Sequence, residues 1–366
     1  MPGDVVVQRA RGAPGAGWLR FHDPREIVTA TSLAGVVAKL RYVEDLVQSQ
    51  GWYAAGFLSY EASPAFDAAH RVRAAHRVRN RTTTELPLLW FGLYDQVETL
   101  DPLADFDRTA YSIGPWSPSV TWPAYERAIH SIKQYIADGE TYQVNYTYRL
   151  RAPFEGEAWP FFLSLVQPQP VGYAAYVDLG SHVICSASPE LFFQLSGRTL
   201  VSMPMKGTAA RGRTLREDRT QADGLHHSGK NRAENVMIVD MIRNDLGRIA
   251  EIGSVAAPRL FEVERYPTVL QMTSTVQAQT DASLTAIMTA LFPCASITGA
   301  PKVRTMHIIA ELETAPRGVY TGGIGYLSPQ REAQFNVAIR TVTIDREAGQ
   351  AEYGVGRHRV GLGRSR

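Results

Sequence analysis

The sequence predicts an α+β fold, with strands paired to antiparallel neighbours and helices packed against the sheets. Strand-like segments come in groups, at 173–203 and at 320–344, where short apolar runs are separated by polar or glycine-rich turns. Two long segments with helical periodicity, 122–138 and 230–250, stand outside these groups. Because the strands do not alternate one by one with helices, a repeated βαβ arrangement is not expected.

The first part of the chain is predicted to begin irregularly. Residues 1–20 are rich in Gly, Ala and Arg, which is typical of a loosely held arm. Residues 21–115 are interpreted as the N-terminal part of the α+β fold. Within them, apolar runs at 55–60 and 88–94 predict two strands bounded by polar turns.

The later elements follow from periodicity and from glycine and proline. Tyr125, Ile129 and Ile132 share one face of a helix that starts near Pro123 and ends at Gly139. Further strands are predicted at 141–149, 173–179, 182–187, 191–203, 254–277 (two strands), 320–327 and 333–344, and further helices at 230–250 and 298–312.

Composition limits the class of protein. Apolar residues make up 45% of the chain and charged residues 20%, as in ordinary globular domains, and a net charge of +2 predicts no dedicated nucleic-acid or membrane surface. Only Cys185 and Cys294 are present, the start lacks the features of a signal peptide, and no apolar run is long enough to cross a membrane. We therefore expect a cytoplasmic enzyme, and one without a P-loop or dinucleotide-binding motif.

Two segments carry candidate nucleophile and acid groups. Lys206 follows an apolar strand, so its amine can enter a partly dry cavity where desolvation lowers the pKa and frees a nucleophile. Gly207 permits close backbone approach to a ligand, and Thr208 adds a hydroxyl. Glu190 lies where an apolar pattern resumes and can serve as a general acid. The alternative for both Lys206 and Glu190 is an ordinary charged side chain at the end of a strand.

A third candidate is a metal ligand on the predicted helix 230–250. Glu234 and Asp245 frame an apolar stripe that contains Ile238 and Met241. A glutamate near a helix start can bind a hard cation such as Mg²⁺, which usually takes one or two carboxylates together with substrate oxygens. The alternative for Glu234 is compensation of the helix dipole in the first turn.

Two later segments offer groups for an anionic ligand. Thr298 is predicted to be the N-cap of the helix 298–312, whose first amides can receive an anion, and simple capping is the alternative. Arg340, inside an apolar strand, needs an anionic partner if it is buried, and either a substrate carboxylate or a protein carboxylate fits. The glycines of 318–326, around Tyr320, indicate close backbone approach or bulges.

Taken together and in order, these segments resemble the chorismate-utilising enzymes. That family includes aminodeoxychorismate synthase component I, anthranilate synthase component I, and the isochorismate and salicylate synthases. The resemblance is carried by residues 139–145, 188–190, 204–208, 234–248, 298–302 and 325–326. It implies a single large chorismate-binding domain of packed antiparallel sheets with flanking helices, with the catalytic core at 116–356.

Position 206 distinguishes branches of the family. Anthranilate synthases have alanine at that position. Relatives that add water to chorismate carry a lysine base at another position, where this chain has Gln143. A lysine at position 206 is similar to aminodeoxychorismate synthase component I. The resemblance implies that Lys206 adds to C2 of chorismate while Glu190 protonates the departing C4 hydroxyl. Ammonia then attacks C4 and yields 4-amino-4-deoxychorismate, for 4-aminobenzoate and folate synthesis.

The resemblance also implies the remaining ligands and partners. Mg²⁺ held by Glu234 orients the ring carboxylate, and a glutamine amidotransferase subunit supplies the ammonia. The substrate contacts that it implies are Gly207, Thr208, Thr298, Tyr320, Arg340 and Gly356.

Two features depart from the family pattern. Gln271 stands where many relatives carry a histidine linked to pyruvate loss, so an aromatising activity is not expected. After Gly356 the expected ending is absent, and we interpret 357–366 as an aberrant, frameshifted tail, with simple divergence as the alternative. That tail is expected to lack a second metal-binding glutamate and the strand that closes over the substrate. Weak binding of Mg²⁺ and chorismate should follow, and a restored reading frame should raise activity by on the order of a hundredfold.

Two other functions stay open. The chain can be a truncated, inactive subunit that still binds chorismate or the amidotransferase, or it can be an anthranilate synthase component I. Feedback inhibition by tryptophan is not expected, since the N-terminal region lacks the family's tryptophan-pocket motif. No nucleic-acid partner is expected either, because arginines cluster only in one loop and in the tail.

Overall fold

Two antiparallel sheets form the framework of the molecule. A computed structural model describes residues 2–9, 17–73, 86–100, 103, 107–168 and 172–360. The strands of the first sheet are β1 Val5–Gln8, β2 Trp18–Phe21, β6 Glu98–Leu100, β7 Tyr111–Ile113, β8 Ser117–Pro118, β9 Gln143–Gly156, β10 Ala175–Asp178, β11 His182–Ser186, β17 Gly299–Ala300, β20 Thr341–Asp345 and β21 Gln350–Val360. Those of the second are β3 Glu26–Ala30, β4 Tyr53–Leu58, β5 Leu89–Tyr94, β12 Leu191–Ser196, β13 Thr199–Met203, β14 Met205–Ala210, β15 Ala256–Arg265, β16 Val269–Gln279, β18 Gly323–Leu327 and β19 Glu332–Val337.

Helices flank these sheets. They are α1 Leu33–Gln50, α2 Trp122–Ala137, α3 Ala158–Val166, α4 Leu215–His226, α5 Gly229–Gly247, α6 Leu284–Leu291 and α7 Lys302–Leu312. The spatial order is β17-β9-β21-β20-β11-β10-β1-β2-β6 in the first sheet and β14-β16-β13-β12-β19-β18-β4-β5-β3 in the second. The predicted α+β class, with packed antiparallel sheets and flanking helices, is confirmed.

The inner faces of the two sheets share one apolar core. Val177 and Ile184 of the first sheet belong to the same buried cluster as Phe57 and Tyr326 of the second. A separate cluster packs α1, α5 and α6 on the second sheet, and another packs α3 on the first. The molecule is therefore layered, and the flanking helices cover the outer faces.

The strand β9 has two faces of different chemical character. Val144 and Tyr146 are buried under α2 and α7. Side chains alternate along a strand, so Asn145, Thr147 and Arg149 point to the opposite face, toward the interior between the sheets. This second face carries polar groups into the interior of the fold.

The helix α5 is set by its cap and by its apolar stripe. Ser228 precedes it, and the Ser228 side chain accepts a hydrogen bond from the backbone N–H of Asn231. Ile238, Ile242 and Leu246 are buried against the second sheet. This packing fixes the start of α5, and with it Glu234, beside β14.

The prediction of a loosely held arm over residues 1–20 is wrong for 5–8 and 18–20. Val5, Val6 and Val7 are at most 3% exposed, and β1 pairs with both β2 and β10. The Gly, Ala and Arg bias is concentrated in 9–17, whereas the valines before it have the branched side chains that suit a buried strand. Residues 10–16 lie outside the described part of the chain.

Near the C-terminus, the structure corrects one expectation about the tail. The backbone of 357–360 continues β21 and pairs with β9, from Arg357 opposite Tyr146 to Val360 opposite Gln143. The expected loss of the closing strand is therefore wrong for 357–360, while 361–366 lie outside the described residues. Among the described helices, none combines the length and the apolar character that a membrane crossing requires.

Candidate active site

Lys206 and Glu190 meet at Ser296. Lys206 lies on β14, Glu190 directly precedes β12, and Ser296 belongs to a short turn between α6 and β17. Lys206 Nζ donates to the Ser296 carbonyl oxygen at 2.9 Å. The Glu190 carboxylate accepts from the Met205 N–H at 3.4 Å and is hydrogen-bonded to the Ser296 side chain. The two residues that the sequence predicts to be catalytic are thus brought together.

Burial pushes both groups toward their neutral forms. Lys206 is 8% exposed and Glu190 is 4% exposed. Loss of solvent raises the pKa of Glu190 and lowers the pKa of Lys206, while the charge of each partner opposes these shifts. An amine that loses its proton and a carboxylic acid that keeps one are the species required of a nucleophile and a general acid.

Glu234 lies beside this pair. It is 3% exposed, Lys230 Nζ approaches its Oε1 at 3.9 Å, and its charge acts on Lys206. The strand β14 packs closely against α5 at Gly207. This glycine has φ +97°, and a Cβ there would lie 3.1 Å from the Asn231 Cβ. Gly207 therefore permits close approach to a helix of the protein. We refer to Glu190, Lys206, Glu234 and Ser296 as the Lys206 cluster.

The predicted Mg²⁺ site depends on which side chains near Glu234 could bind a metal ion. Within the described residues, no group of three or more His, Cys, Asp or Glu side chains is arranged to hold a metal ion. Asp245, on the same helix, is 2.6 Å from Lys302 Nζ and is engaged in that ion pair. Glu234 thus offers one carboxylate, which fits Mg²⁺ only in part and only together with substrate oxygens.

Thr208 is engaged with the residue that departs from the family pattern. Its hydroxyl donates to Gln271 Oε1 at 3.1 Å, across the pairing of β14 with β16. Gln271 is buried, at 8% exposure. The predicted substrate contact at Thr208 is therefore oriented by Gln271.

Tyr320 forms a second group with two glycines of β21. A Cβ on Gly354 would lie 2.1 Å from the Tyr320 ring, and a Cβ on Gly356 would lie 3.0 Å from its hydroxyl, so the glycines make the space that the ring occupies. The Arg149 guanidinium carbon is 5.1 Å from the ring centroid. Burial raises the pKa of Tyr320 to about 12, which keeps its hydroxyl protonated and able to donate at neutral pH.

Thr298 is not the N-cap that the sequence predicts. The helix α7 begins at Lys302 with Pro301 at its cap, because the ring of a proline disfavours helical backbone in the residue before it. Thr298 is fully buried, and its hydroxyl donates to the Ala295 carbonyl at 3.1 Å. Its own carbonyl accepts the N–H of Asn145 at 2.9 Å, which ties the Ser296 turn to β9.

Arg340 is not inside a strand. It has φ +50° and lies in the link where the chain crosses from β19 in one sheet to β20 in the other. Its side chain is half-buried and lines a groove of about 440 Å³ together with Trp116 and Tyr353. The crossing accounts for the error, since an apolar run that continues through a change of sheet looks like one strand.

Sequence reasoning missed two arginines of the interior and did not predict the burial of Gln143. Arg149 and Arg317 are 1% and 2% exposed, and Gln143 is fully buried with no hydrogen-bond partner for its side chain among the described residues. Gln143 and Arg149 share the inward face of β9 with Asn145. The available signal was the alternation of β9, which places polar residues at every second position of a strand whose other face is apolar.

Comparisons with known proteins identify the family of the chain. Residues 11–357 match the family described as chorismate binding enzyme. Aminodeoxychorismate synthase of Streptomyces griseus is 45% identical over 338 residues, covering 84% of this chain and 46% of that protein. Aminodeoxychorismate synthase component 1 of Escherichia coli is 40% identical over 248 residues, covering 67% of this chain and 54% of that protein. The chain therefore spans about half the length of these curated relatives.

The fold has solved counterparts. The crystal structure of anthranilate synthase component I from Streptococcus pneumoniae superimposes with a TM-score of 0.79 at 22% identity, covering 98% of this chain and 88% of that one. At this identity the likeness shows the fold alone.

Proposed function

We propose that this chain, which belongs to the chorismate binding enzyme family, aminates chorismate at C4 to form 4-amino-4-deoxychorismate. The observation that carries the proposal is the buried pair of Lys206 and Glu190 on either side of Ser296. An amine nucleophile and a carboxylic acid side by side can displace a hydroxyl group in two steps. The likeness to aminodeoxychorismate synthases over most of this chain supports the same reaction.

In the first step, neutral Lys206 Nζ forms a bond to C2 of chorismate. Both ring double bonds shift, C1=C2 to C1=C6 and C5=C6 to C4=C5, the C4–O bond breaks, and Glu190 gives its proton to the departing hydroxyl, which leaves as water. The lysine nitrogen keeps both of its protons as a secondary ammonium. In the second step, ammonia forms a bond to C4, both double bonds shift back, and the C2–N bond breaks to release neutral lysine. One proton of the ammonia returns to Glu190, so chorismate and ammonia become 4-amino-4-deoxychorismate and water.

Substrate binding is assigned to residues near Ser296, to Tyr320 and to Arg340. Gly207 and Thr208 follow the nucleophile on β14, and Thr298 follows Ser296. Tyr320, whose hydroxyl lies over Gly356, offers a donor to the enolpyruvyl end, and Arg340 offers a cation to its carboxylate.

Mg²⁺ and a second subunit complete the proposal. Glu234 would hold the metal with one carboxylate, and the metal would fix and neutralise the ring carboxylate of the substrate. Ammonia would come from a glutamine amidotransferase, in keeping with the name component 1 of the relatives. Both cysteines are free thiols, which suits the reducing cytoplasm.

A single reaction mixture tests the proposal. The purified chain is incubated with chorismate, ammonium chloride and MgCl₂, and the products are separated by liquid chromatography with mass detection. We expect 4-amino-4-deoxychorismate to accumulate without pyruvate release. Formation of anthranilate with pyruvate, or of isochorismate, would assign the chain to another branch of the family.

A further inference from the structure

Arg317 is a buried cation that donates hydrogen bonds from all three of its side-chain nitrogens to described residues of the interior. Its Nε donates to Glu313 at 3.0 Å, one terminal nitrogen donates to the Ile297 carbonyl at 2.9 Å and to the Thr321 hydroxyl at 3.3 Å, and the other donates to Glu313 and to the Asn145 carbonyl, both at 2.7 Å. The guanidinium also lies over the Tyr60 ring, 4.5 Å from its centroid. We refer to Arg317 and these partners as the Arg317 junction.

The Arg317 junction joins the two groups to which the site is assigned. Ile297 follows Ser296, whose carbonyl receives Lys206 and whose side chain is bonded to Glu190. On the other side, Arg317 precedes Tyr320 by three residues along the chain. The Glu61 carboxylate accepts the backbone N–H groups of Arg317 at 2.6 Å and of Gly318 at 2.8 Å, which holds the turn before Tyr320.

Glu313 gives the junction a third anchor. Its Oε1 accepts from both the N–H and the hydroxyl of Thr147, at 2.8 and 2.9 Å, so the carboxylate that neutralises Arg317 also fixes β9. A planar guanidinium with five donors can bridge a carboxylate and two carbonyls at once. A lysine ammonium is a point charge with three donors and cannot reproduce that fork.

We propose that Arg317 is a positioning residue. It holds the turn around Ser296, the strand β9 and the turn at Gly318 in one arrangement. In this way it sets the position of Lys206 and Glu190 relative to Tyr320. The residue contacts neither the reacting atoms nor the metal in this scheme, and it acts through Ser296 on one side and through Gly318 on the other. The proposal rests on the proposed amination, because the roles of Lys206, Glu190 and Tyr320 come from it.

The test compares Arg317→Lys with a matched control, Arg346→Lys. Arg346 also binds a carboxylate through two nitrogens, to Asp178 at 2.8 and 2.9 Å, but it lies after β20 and donates to none of the partners of Arg317 within the described residues. Each variant is treated with trace acetic anhydride over a range of pH, and acetylation of Lys206 is measured by mass spectrometry relative to exposed Lys39. Chorismate binding and thermal unfolding are measured on the same samples.

In Arg317→Lys, the Ser296 turn should shift, and Lys206 should lose the carbonyl that favours its charged form. The midpoint of Lys206 acetylation should therefore move to lower pH. Chorismate should bind more weakly, and turnover should fall by on the order of a hundredfold, the loss that a misplacement of about 1 Å causes. Arg346→Lys should keep the wild-type midpoint, binding and turnover.

A purely structural role gives a different result. If Arg317→Lys unfolds at a lower temperature but keeps the wild-type midpoint of Lys206 acetylation and wild-type chorismate binding, the proposal is overturned. If that variant does not fold, Glu61→Gln tests the same turn, since an amide nitrogen cannot accept the second N–H, and it should weaken chorismate binding without moving the Lys206 midpoint. Unchanged binding in a folded Glu61→Gln variant would equally overturn it.

The labelling separates this proposal from the proposed function. Acetylation of Lys206 needs no turnover, so a shifted midpoint supports the positioning role even if the wild-type chain forms no 4-amino-4-deoxychorismate. Absence of that product would instead overturn the amination.

Discussion

The Lys206 cluster and the Arg317 junction are both buried and charged, but their cations differ in how fully they are hydrogen-bonded. Lys206 has one hydrogen-bond acceptor within the described residues, and that acceptor is a neutral carbonyl. Arg317 donates from all of its nitrogens and shares two bonds with Glu313, which is itself bonded to Thr147. An incompletely matched charge has a shifted pKa and can react, whereas a fully matched one fixes geometry.

This contrast predicts that substitutions in the Lys206 cluster remove the reacting groups themselves, whereas substitutions in the Arg317 junction lower stability and change activity only through the position of those groups. The largest effect is expected for Lys206→Ala. It should abolish formation of 4-amino-4-deoxychorismate, because the covalent step loses its nucleophile, while thermal unfolding stays close to wild type. Lys39→Ala, at an exposed lysine on α1, is the control and should keep full activity. Turnover by Lys206→Ala at the wild-type rate would remove the basis of the contrast.

The second effect concerns Glu190 and pH. Glu190→Gln should lower kcat by about 10²–10⁴-fold, the usual contribution of a general acid. Burial raises the pKa of Glu190, and the acid must be protonated to act, so wild-type activity should fall as pH rises through that raised pKa. The Glu190→Gln variant should lack this descending limb in a plot of kcat against pH. If the Glu190→Gln variant keeps the descending limb, that limb reports the titration of another group.

The third effect concerns the metal. Activity should disappear with EDTA and return with added MgCl₂, and Glu234→Gln should raise the MgCl₂ concentration required, since it removes the carboxylate proposed to hold the metal. Asp240→Asn is a matched control, because Asp240 lies exposed on the same helix and pairs with Arg243. Full activity of the wild-type chain in metal-free buffer would contradict the assignment.

The fourth effect, and the sharpest test of the contrast, concerns stability. Glu313→Gln should lower the free energy of unfolding by about 3–5 kcal/mol, since it leaves the Arg317 charge buried with one partner fewer. Lys206→Met should leave that free energy unchanged or raise it, because it replaces a poorly compensated buried amine by an apolar chain of similar size. Urea unfolding of both variants measures the difference. An equal loss of unfolding free energy in the two variants would mean that the buried charges of both regions contribute equally to stability, which contradicts the contrast.

The sequence predicted well those elements that depend on neighbours along the chain. Periodicity predicted α2 and α5, and turn residues predicted most strands of the second half. The pairing of Lys206 with Glu190 was also expected, though from resemblance, since 16 positions of chain and a hairpin separate them and no local rule joins them. The 18-residue helix α1 was missed, because a glycine and four valines weaken its helical pattern before packing against the second sheet compensates.

Errors occurred where the tertiary structure overrides a local pattern. Thr298 looked like a helix cap, but pairing of Gly299 and Ala300 with β9 keeps the chain extended up to Pro301. Arg340 looked like a strand residue, but the chain changes sheets there. Arg149 and Arg317 were not identified, since their partners lie up to about 170 residues away and become neighbours only when β9 meets the later turns.

The pairing of β9 with β21 also governs the order in which the molecule can assemble. Gly356 lies opposite Thr147, so the two strands are separated by roughly 200 residues of chain, and β21 fills the place between β9 and β20. Until β21 emerges from the ribosome, both β9 and β20 present an open edge, which is a template for pairing with other chains. The strand β21, whose glycines make the space for the Tyr320 ring, is thus added after β9 and β20. Nascent chains must be protected from aggregation until β21 fills the gap between these two strands.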